Sequence, residues 1–362
     1  MSAGASWPTS FQERLLVAAL ASPEEAATAW SGMPPEFSLD VLEPGSFELL
    51  PLVYRNLSEV GSDDARLPRL KGIYRRSWVK NNLLLERVRE IAAVFAEADL
   101  PALFLEGPTF ANRYYPDLGL RPTSTIHLLV HPSDGLRAVS RLGRVRWTAR
   151  AESSVYPGWR ILFDDGGNIC VLRTSLAFDF VDADESIWSA AGEAEGGEAR
   201  VHMPNPTDAL LSVLVSGARL SPSPRTQWIA DAAMLLRVQE IDWERLCALG
   251  VAGGQTSRLR ATLGYLRRLP IGPIPAEVFE LLVRAQPLRR ERLVYRLVSG
   301  APPRLAGSAE VLAEHLVATR DESALRTMAS LAGRLRERWG LKHSWQIPAA
   351  ATRRARRWKR ES

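Results

Sequence analysis

Cysteine is scarce in this 362-residue chain: Cys170 and Cys247 are the only two. They lie far apart and match no metal-site spacing, which excludes a disulfide-stapled scaffold and a cysteine-based metal site. Each sits in an apolar run, so both are read as buried free thiols in a reducing compartment. Long apolar runs are absent as well. No stretch of about 18 such residues occurs, and the N-terminal MSAGASWPTSFQERLL lacks a basic segment leading into a long apolar one. A cytoplasmic protein without a transmembrane segment is expected. The chain also contains no P-loop, Rossmann fingerprint, Gly-x-Ser-x-Gly or HExxH.

An excess of charge of one sign is missing from the body of the chain. The net charge is +5, but the last twelve residues, ATRRARRWKRES, supply that excess. Arg353, Arg354, Arg356, Arg357, Lys359 and Arg360 there face only Glu361. The remainder is close to neutral, so a pI near 9.4 does not by itself argue for nucleic-acid binding. A solvated end is expected, with contact to nucleic acid or an anionic membrane surface as the alternative. The eleven tryptophans run from Trp7 to Trp358, a spread that suits core packing rather than a base-stacking platform.

What is present is a soluble globular balance, 46% hydrophobic and 24% charged, long enough for two or three packed units. Helices are expected at Phe11 to Ala21, with a new one opened by Pro23, and at Ser46 to Leu57. The strongest helical pattern runs from about Leu67 to Ala98. Tyr74, Trp78, Asn81, Leu85, Val88, Ala92 and Phe95 fall on one stripe there, with Asn81 its only strongly polar member. Arg75, Arg76, Lys80, Arg87 and Arg89 spread over the remaining surface, read as a solvated face with a phosphate-facing patch as the alternative.

Short strand-like runs follow at Ala102 to Leu105, Ile126 to Val130, Val145 to Ala149, Trp159 to Phe163 and Ile169 to Leu172, with helices at Pro108 to Tyr114 and Ser133 to Leu142. Asp164-Asp165-Gly166-Gly167-Asn168 signals a hairpin turn between the last two strands. AGEAEGGEAR before Val201 is read as a loop. The acidic cluster Asp179, Asp182, Asp184 and Glu185 is read as an exposed helix entry. From Pro206 the pattern is helical again, at Thr207 to Gly217, Arg225 to Val238, Trp243 to Leu249, Thr256 to Leu269 and Ala276 to Val283, with breaks expected at Gly300 to Pro303 and Gly307-Ser308. The fold class is therefore α/β (α+β). A small mixed-sheet core over 99–200 is flanked by an N-terminal helical region over 1–98 and an all-helical domain over 201–340, followed by a basic tail over 341–362.

The most specific text is LFLEGPTFANRYYPDLGLRPTSTIHLLV, from Leu103 to Val130. Leu105-Glu106-Gly107, the loop Tyr115 to Pro122, and Ser124-Thr125-Ile126-His127-Leu128-Leu129-Val130 resemble the uncharacterised bacterial nucleotidyltransferase family of the DNA polymerase β-like superfamily. Its members read L-K-G, Y-P-D-x-G-x-R-P and S-D-I-D-L-L-V at these places. Trp228-Ile229-Ala230-Asp231 and Ile241-Asp242-Trp243 are similar to its W-x-x-D and D-W text, and Leu50 to Tyr54 to its N-terminal helical region. The resemblance covers about residues 45 to 285.

The resemblance implies a nucleotidyltransferase-like core. Its usual chemistry is transfer from a nucleoside triphosphate with two Mg²⁺ ions held by carboxylates. Position by position, Thr125 and His127 stand at the two aspartate places on one strand, and Val171 (Cys170 after a one-residue slip) at the third carboxylate. Glu106 stands at the lysine. Threonine, histidine and valine suit Mg²⁺ poorly, because that ion takes hard, anionic oxygen ligands. The leading expectation is thus a pseudoenzyme that binds a nucleotide, a peptide or a partner protein beside a biosynthetic or modifying system. Gly107, Thr109, Arg121 and Ser124 are the candidate nucleotide contacts, and no metal or cofactor is assigned. One alternative is an active transferase using Mg²⁺ and a nucleoside triphosphate to modify a small molecule or peptide. Another is a rebuilt site in which Glu106 and His127, with His131 and Arg173 nearby, exchange protons near neutral pH. A structural role for Glu106, as an ion-pair partner of Arg121, competes with that idea.

Overall fold

The computed structural model describes residues 6–34, 37–39, 42–149, 159–177, 179–180, 184–196, 199–219, 225–271, 273–300, 306–320, 322 and 324–353. Arg150, Asp182, residues 301–303 of an expected helix break and the end of the basic tail from Arg354 lie outside these.

Thr9 and Ser22 each close a capping box, with Gln12 and Glu25, and so start α1 (Ser10–Leu20) and α2 (Pro23–Ser31). The single helix expected over Ser46 to Leu57 is two, α3 (Pro44–Phe47) and α4 (Leu50–Glu59). Pro51 suits a first helical turn but not an interior, so the chain restarts there. α5 (Leu67–Ala96) is a single 30-residue helix. Its buried face runs through Leu70, Ser77, Asn81, Leu84, Leu85, Val88, Ile91, Ala92 and Phe95. Trp78, expected on that face, is 44% exposed. Strict 4,3 spacing drifts around a helix of 3.6 residues per turn, and over this length the drift carries Trp78 off the seam.

The core strands are β1 (Leu103–Glu106), β2 (Thr125–Leu129), β3 (Thr148–Ala149), β4 (Arg160–Phe163) and β5 (Ile169–Arg173). They form one sheet in the order β1-β2-β5-β4-β3, in which β2 and β5 run parallel and the other neighbours antiparallel. α6 (Pro108–Tyr114) joins β1 to β2, and α7 (Gly135–Arg144) leads from β2 towards β3. The strand expected from Val145 is shorter than its alternation suggests. Arg146 has φ 64° and the Trp147 N–H donates to the Leu142 carbonyl at 3.0 Å, so Val145 to Trp147 close the end of α7. Asp164 makes the β4–β5 turn, accepting from the Asn168 N–H at 2.8 Å, and pairs with Arg87 at 3.2 Å.

After the short helix α8 (Asp184–Ser189), the segment read as a loop is a hairpin, β6 (Gly192–Gly196) with β7 (Ala199–Met203). Its glycines and glutamates masked the apolar half, in which Val201 and Met203 are buried. α9 (Pro206–Ser216), α10 (Gln227–Val238), α11 (Trp243–Ala252), α12 (Thr256–Leu266) and α13 (Ala276–Arg284) fall where helices were expected, with α9 and α11 capped by Asn205 and Asp242. α14 (Arg289–Gly300), α15 (Ala306–Ala318) and α16 (Ala324–Arg338) follow. Gly307-Ser308 lies inside α15 and does not break it.

One apolar core runs from Leu15 on α1 through the sheet to Leu282 on α13, and a small separate cluster of Val294, Val298 and Ala313 joins α14 to α15. Both cysteines are buried free thiols. Asp179 is not part of an exposed helix entry. Its carboxylate is buried and receives Arg219 and Arg258 at 2.8 Å each, while its backbone carbonyl accepts from Gln255 at 2.7 Å. Burial pushes this carboxyl up, but the two guanidiniums outweigh that and hold it below the usual range.

Candidate functional site

The loop from Tyr115 to Pro122 is held from three sides. Asp117 caps its own turn through the Gly119 N–H at 2.7 Å. Gly119 sits on the ring of Tyr74, where an added Cβ would come within 2.4 Å of the ring edge. Asn81, the polar residue on the face of α5, donates to the carbonyls of Leu118 at 2.6 Å and Arg121 at 2.8 Å. The third attachment is ionic. Arg121 grips Asp231 of α10 with two parallel 2.7 Å bonds, and the same carboxylate accepts from Tyr115 at 2.7 Å and Gln227 at 2.9 Å. Arg121 and Asp231 are about 95% buried. The Asp231 partnership leaves no room for the expected ion pair between Arg121 and Glu106. It also commits Arg121, read as a nucleotide contact, to a structural bond.

Gly107 turns the chain from β1 into α6 with φ 105°. A Cβ there would stand 2.5 Å from the Thr125 carbonyl oxygen, so the position needs glycine for both conformation and space. Pro108 opens α6 without an N–H. Thr125 and His127, two apart on β2, share one face with Glu106 beside them, since Glu106 pairs with His127 in the β1–β2 register.

The space beside Glu106 and His127 is filled by Arg173 from the end of β5. Its guanidinium contacts the Glu106 carboxylate at 3.4 Å, lies against Nδ1 of His127 and stacks on Trp159 at 4.4 Å. Ser216 adds a bond to Glu106 at 3.3 Å. Burial alone would raise the Glu106 carboxyl, but Arg173, helped by His127 and Arg121, brings it to about 2. Burial, then Arg173, pushes His127 down to about 3 against the opposing pull of Glu106. With Nδ1 accepting from a guanidinium, the ring is neutral throughout the physiological range. The juxtaposition expected of Glu106 and His127 is present, but the proton exchange near neutral pH expected of it is not supported. His131 stands apart, stacked on Trp188 at 4.1 Å.

A cleft of about 470 Å³ opens between α5, the β1–β2 edge and α10. Glu106, Gly107, Arg121, Ser124, Thr125 and His127 all border it. Thr109 and Val171 do not. Thr109 is buried in α6, and Val171 is buried in β5 beside His127. The opposite wall is Arg76, Ser77 and Lys80 on α5, Glu48, Arg225 just before α10, and Gln227 and Trp228 at its start; of these, sequence reasoning offered only Arg76 and Lys80, as the alternative reading of a phosphate-facing patch. The basic positions of α5 were visible, but their reach into the same space as β2 depends on packing across the fold. Among the described residues no group of three His, Cys, Asp or Glu side chains could hold a metal ion. Thr125, His127 and Val171 supply no anionic oxygen, and Arg173 already places a cation between the two strands, so these residues do not fit a Mg²⁺ pair.

The mixed sheet, the glycine turn after β1 and the paired positions on β2 define a nucleotidyltransferase-like α/β protein. The chain belongs to the uncharacterised nucleotidyltransferase family, which it matches over residues 47–269. That span ends in α12's trailing segment and takes in both Arg121 and Asp231, so the ionic clamp falls within the family's own extent. No curated protein matches the chain. It is also similar to the crystal structure of an antigenic nucleotidyltransferase-like protein from Paracoccidioides brasiliensis, with 13% identity and TM-score 0.34, covering 54% of this chain and 96% of that one. No helix among the described residues is long and apolar enough to cross a membrane.

Proposed function

We propose that this protein is a non-catalytic member of its family, whose cleft binds a phosphorylated ligand without transferring a nucleotidyl group. One observation carries the reading: Arg173 lies against His127, which stands at one of the family's metal-carboxylate places, and against Glu106, which stands at its lysine. Two-metal transfer needs anionic oxygens that bring divalent ions to the reacting phosphate. A guanidinium paired with Glu106 and His127 takes that place and supplies no metal-binding oxygen.

The rim supports an anionic occupant. Arg76 and Arg225 are exposed, Lys80 is half-buried, and all three border the cleft. The remaining cation of the lining, Arg121, is neutralised by Asp231. Calorimetric titration of ATP and GTP, with and without Mg²⁺ or Mn²⁺, tests the reading. Binding of similar strength in the presence of a chelator, with no pyrophosphate released over hours, is expected. Metal-dependent binding with pyrophosphate release would establish the active transferase instead.

A further inference from the structure

The outer face of α5, opposite the face it buries, carries an ordered pattern. Gly72, Arg76, Val79, Leu83, Glu86 and Glu90 are all exposed, and their 4,3,4,3,4 spacing puts them on one stripe. Val79 is 51% exposed and Leu83 64%. A lone exposed leucine is ordinary. Here a valine and a leucine one turn apart form the middle of the stripe, with a cation on its N-terminal side and two carboxylates on its C-terminal side.

That pattern is complementary to itself when reversed. Laid antiparallel about a two-fold axis at the level of Asn81, the stripe sets Val79 against the partner's Leu83, Arg76 against the partner's Glu86 and Gly72 against the partner's Glu90. Each pairing then occurs twice, as a contact between two identical surfaces requires. A parallel alignment would set arginine against arginine and glutamate against glutamate, which is unfavourable.

Two further features have no purpose within a single chain. A Cβ added at Gly72 would meet nothing within 4 Å, so no contact inside the chain calls for glycine there, although glycine weakens a helix interior. In the antiparallel pair its missing side chain leaves room for the partner's Glu90. In addition, α5 has no acidic residue in its first turn and no basic residue in its last, so its charges do not answer its own dipole. The order of cation first and carboxylates last along the stripe is the one that an antiparallel copy complements. Glu86 and Glu90 pair within the chain with Arg89 and Arg87, but their side chains are 65% and 47% exposed and stay within a partner's reach.

We infer that this face of α5 is the interface between two antiparallel copies of the chain. Arg76 also borders the cleft, so the partner's Glu86 arrives at the cleft's rim. The inference does not depend on what occupies the cleft. From Gly72 to Glu90 the contact spans about 27 Å of helix. One helix pair of that length buries less than the roughly 800 Å² per partner of a standard interface, so a reversible dimer of micromolar affinity is expected.

Sedimentation velocity on the full chain, from roughly 1 to 300 μM, tests this and should show monomer converting to dimer across the range. Leu83→Lys should weaken the dimer about tenfold or more, because the symmetry brings two lysines into one small contact. Arg76→Glu and Glu86→Arg should each weaken it similarly by setting like charges together. Both changes in one chain should bring affinity back to within about threefold of wild type. All three positions are exposed, and circular dichroism checks that each variant is folded. Monomer at every concentration would overturn the inference, and so would a dimer that Leu83→Lys leaves unchanged. A dimer weakened by either charge change but not restored by the pair would overturn the antiparallel register.

Discussion

Two buried ionic groups, each with a member bordering the same cleft, have different characters. In one, Arg121 and Asp231 meet through two 2.7 Å bonds, and Tyr115 and Gln227 complete the carboxylate's coordination. In the other, Arg173 reaches Glu106 at only 3.4 Å, shares its guanidinium with a histidine ring, and leaves its own Nε unpartnered. The first is a clamp that joins the loop after α6 to the C-terminal helices. The second is a loosely satisfied group facing a cleft.

Breaking the clamp should have the largest effect. Asp231→Ala leaves Arg121 charged and buried with no partner and strips bonds from Tyr115 and Gln227. A loss of about 3–5 kcal/mol in urea denaturation is expected. A loss below about 1 kcal/mol would mean the two groups do not differ as described. Gly107→Ala comes next. The new Cβ meets the Thr125 carbonyl, and φ 105° is unfavourable for alanine, so about 2–3 kcal/mol should be lost.

The looser group should behave otherwise. Arg173→Met alone leaves Glu106 without its counter-charge, but Arg173→Met with Glu106→Gln removes both charges together. Urea denaturation should place the double variant within about 1 kcal/mol of wild type, because a buried ion pair replaced as a unit costs little. An analogous removal of both Arg121 and Asp231 should remain costly, since Tyr115 and Gln227 lose their acceptor.

Acid should act on the site as well. His127 is held at about 3 in the folded chain against about 6.5 unfolded, so the unfolded state binds the extra proton first. Its contribution is complete above about pH 6.5 and declines as pH falls towards 3. Glu106, lowered to about 2, adds a loss below about pH 4.5 in the same direction. Between pH 6.5 and 4.5, His127→Asn should flatten the pH dependence of stability by up to about 1.4 kcal/mol per unit. An unchanged slope would mean that burial and Arg173 together do not hold the ring neutral. The smallest effect is expected at Trp78, 44% exposed, where alanine should change stability by no more than about 0.5 kcal/mol.

Much of the clamp was legible in the sequence as text, because the loop Tyr115 to Pro122 and Trp228 to Asp231 are distinctive strings. Their union was not, since Arg121 and Asp231 are far apart in the chain and only packing brings them together. Thr125 and His127 were legible as a pair because strand periodicity sends alternate residues to one face. Arg173 was noticed, but its position against both Glu106 and His127 follows from β5 running parallel to β2, a register that composition does not reveal. Asp179 was misread for a similar reason. A carboxylate in an acidic run looks exposed until Arg219 and Arg258 arrive from distant segments. The hairpin over 192–203 was hidden by glycines and glutamates that signal loops when read locally.

The most direct test of the central claim is ATP titration by calorimetry in chelator and in Mg²⁺, with pyrophosphate release followed in the same samples. Binding that persists in chelator, with no pyrophosphate formed, is the predicted result. Binding seen only with Mg²⁺ and accompanied by pyrophosphate would contradict the account.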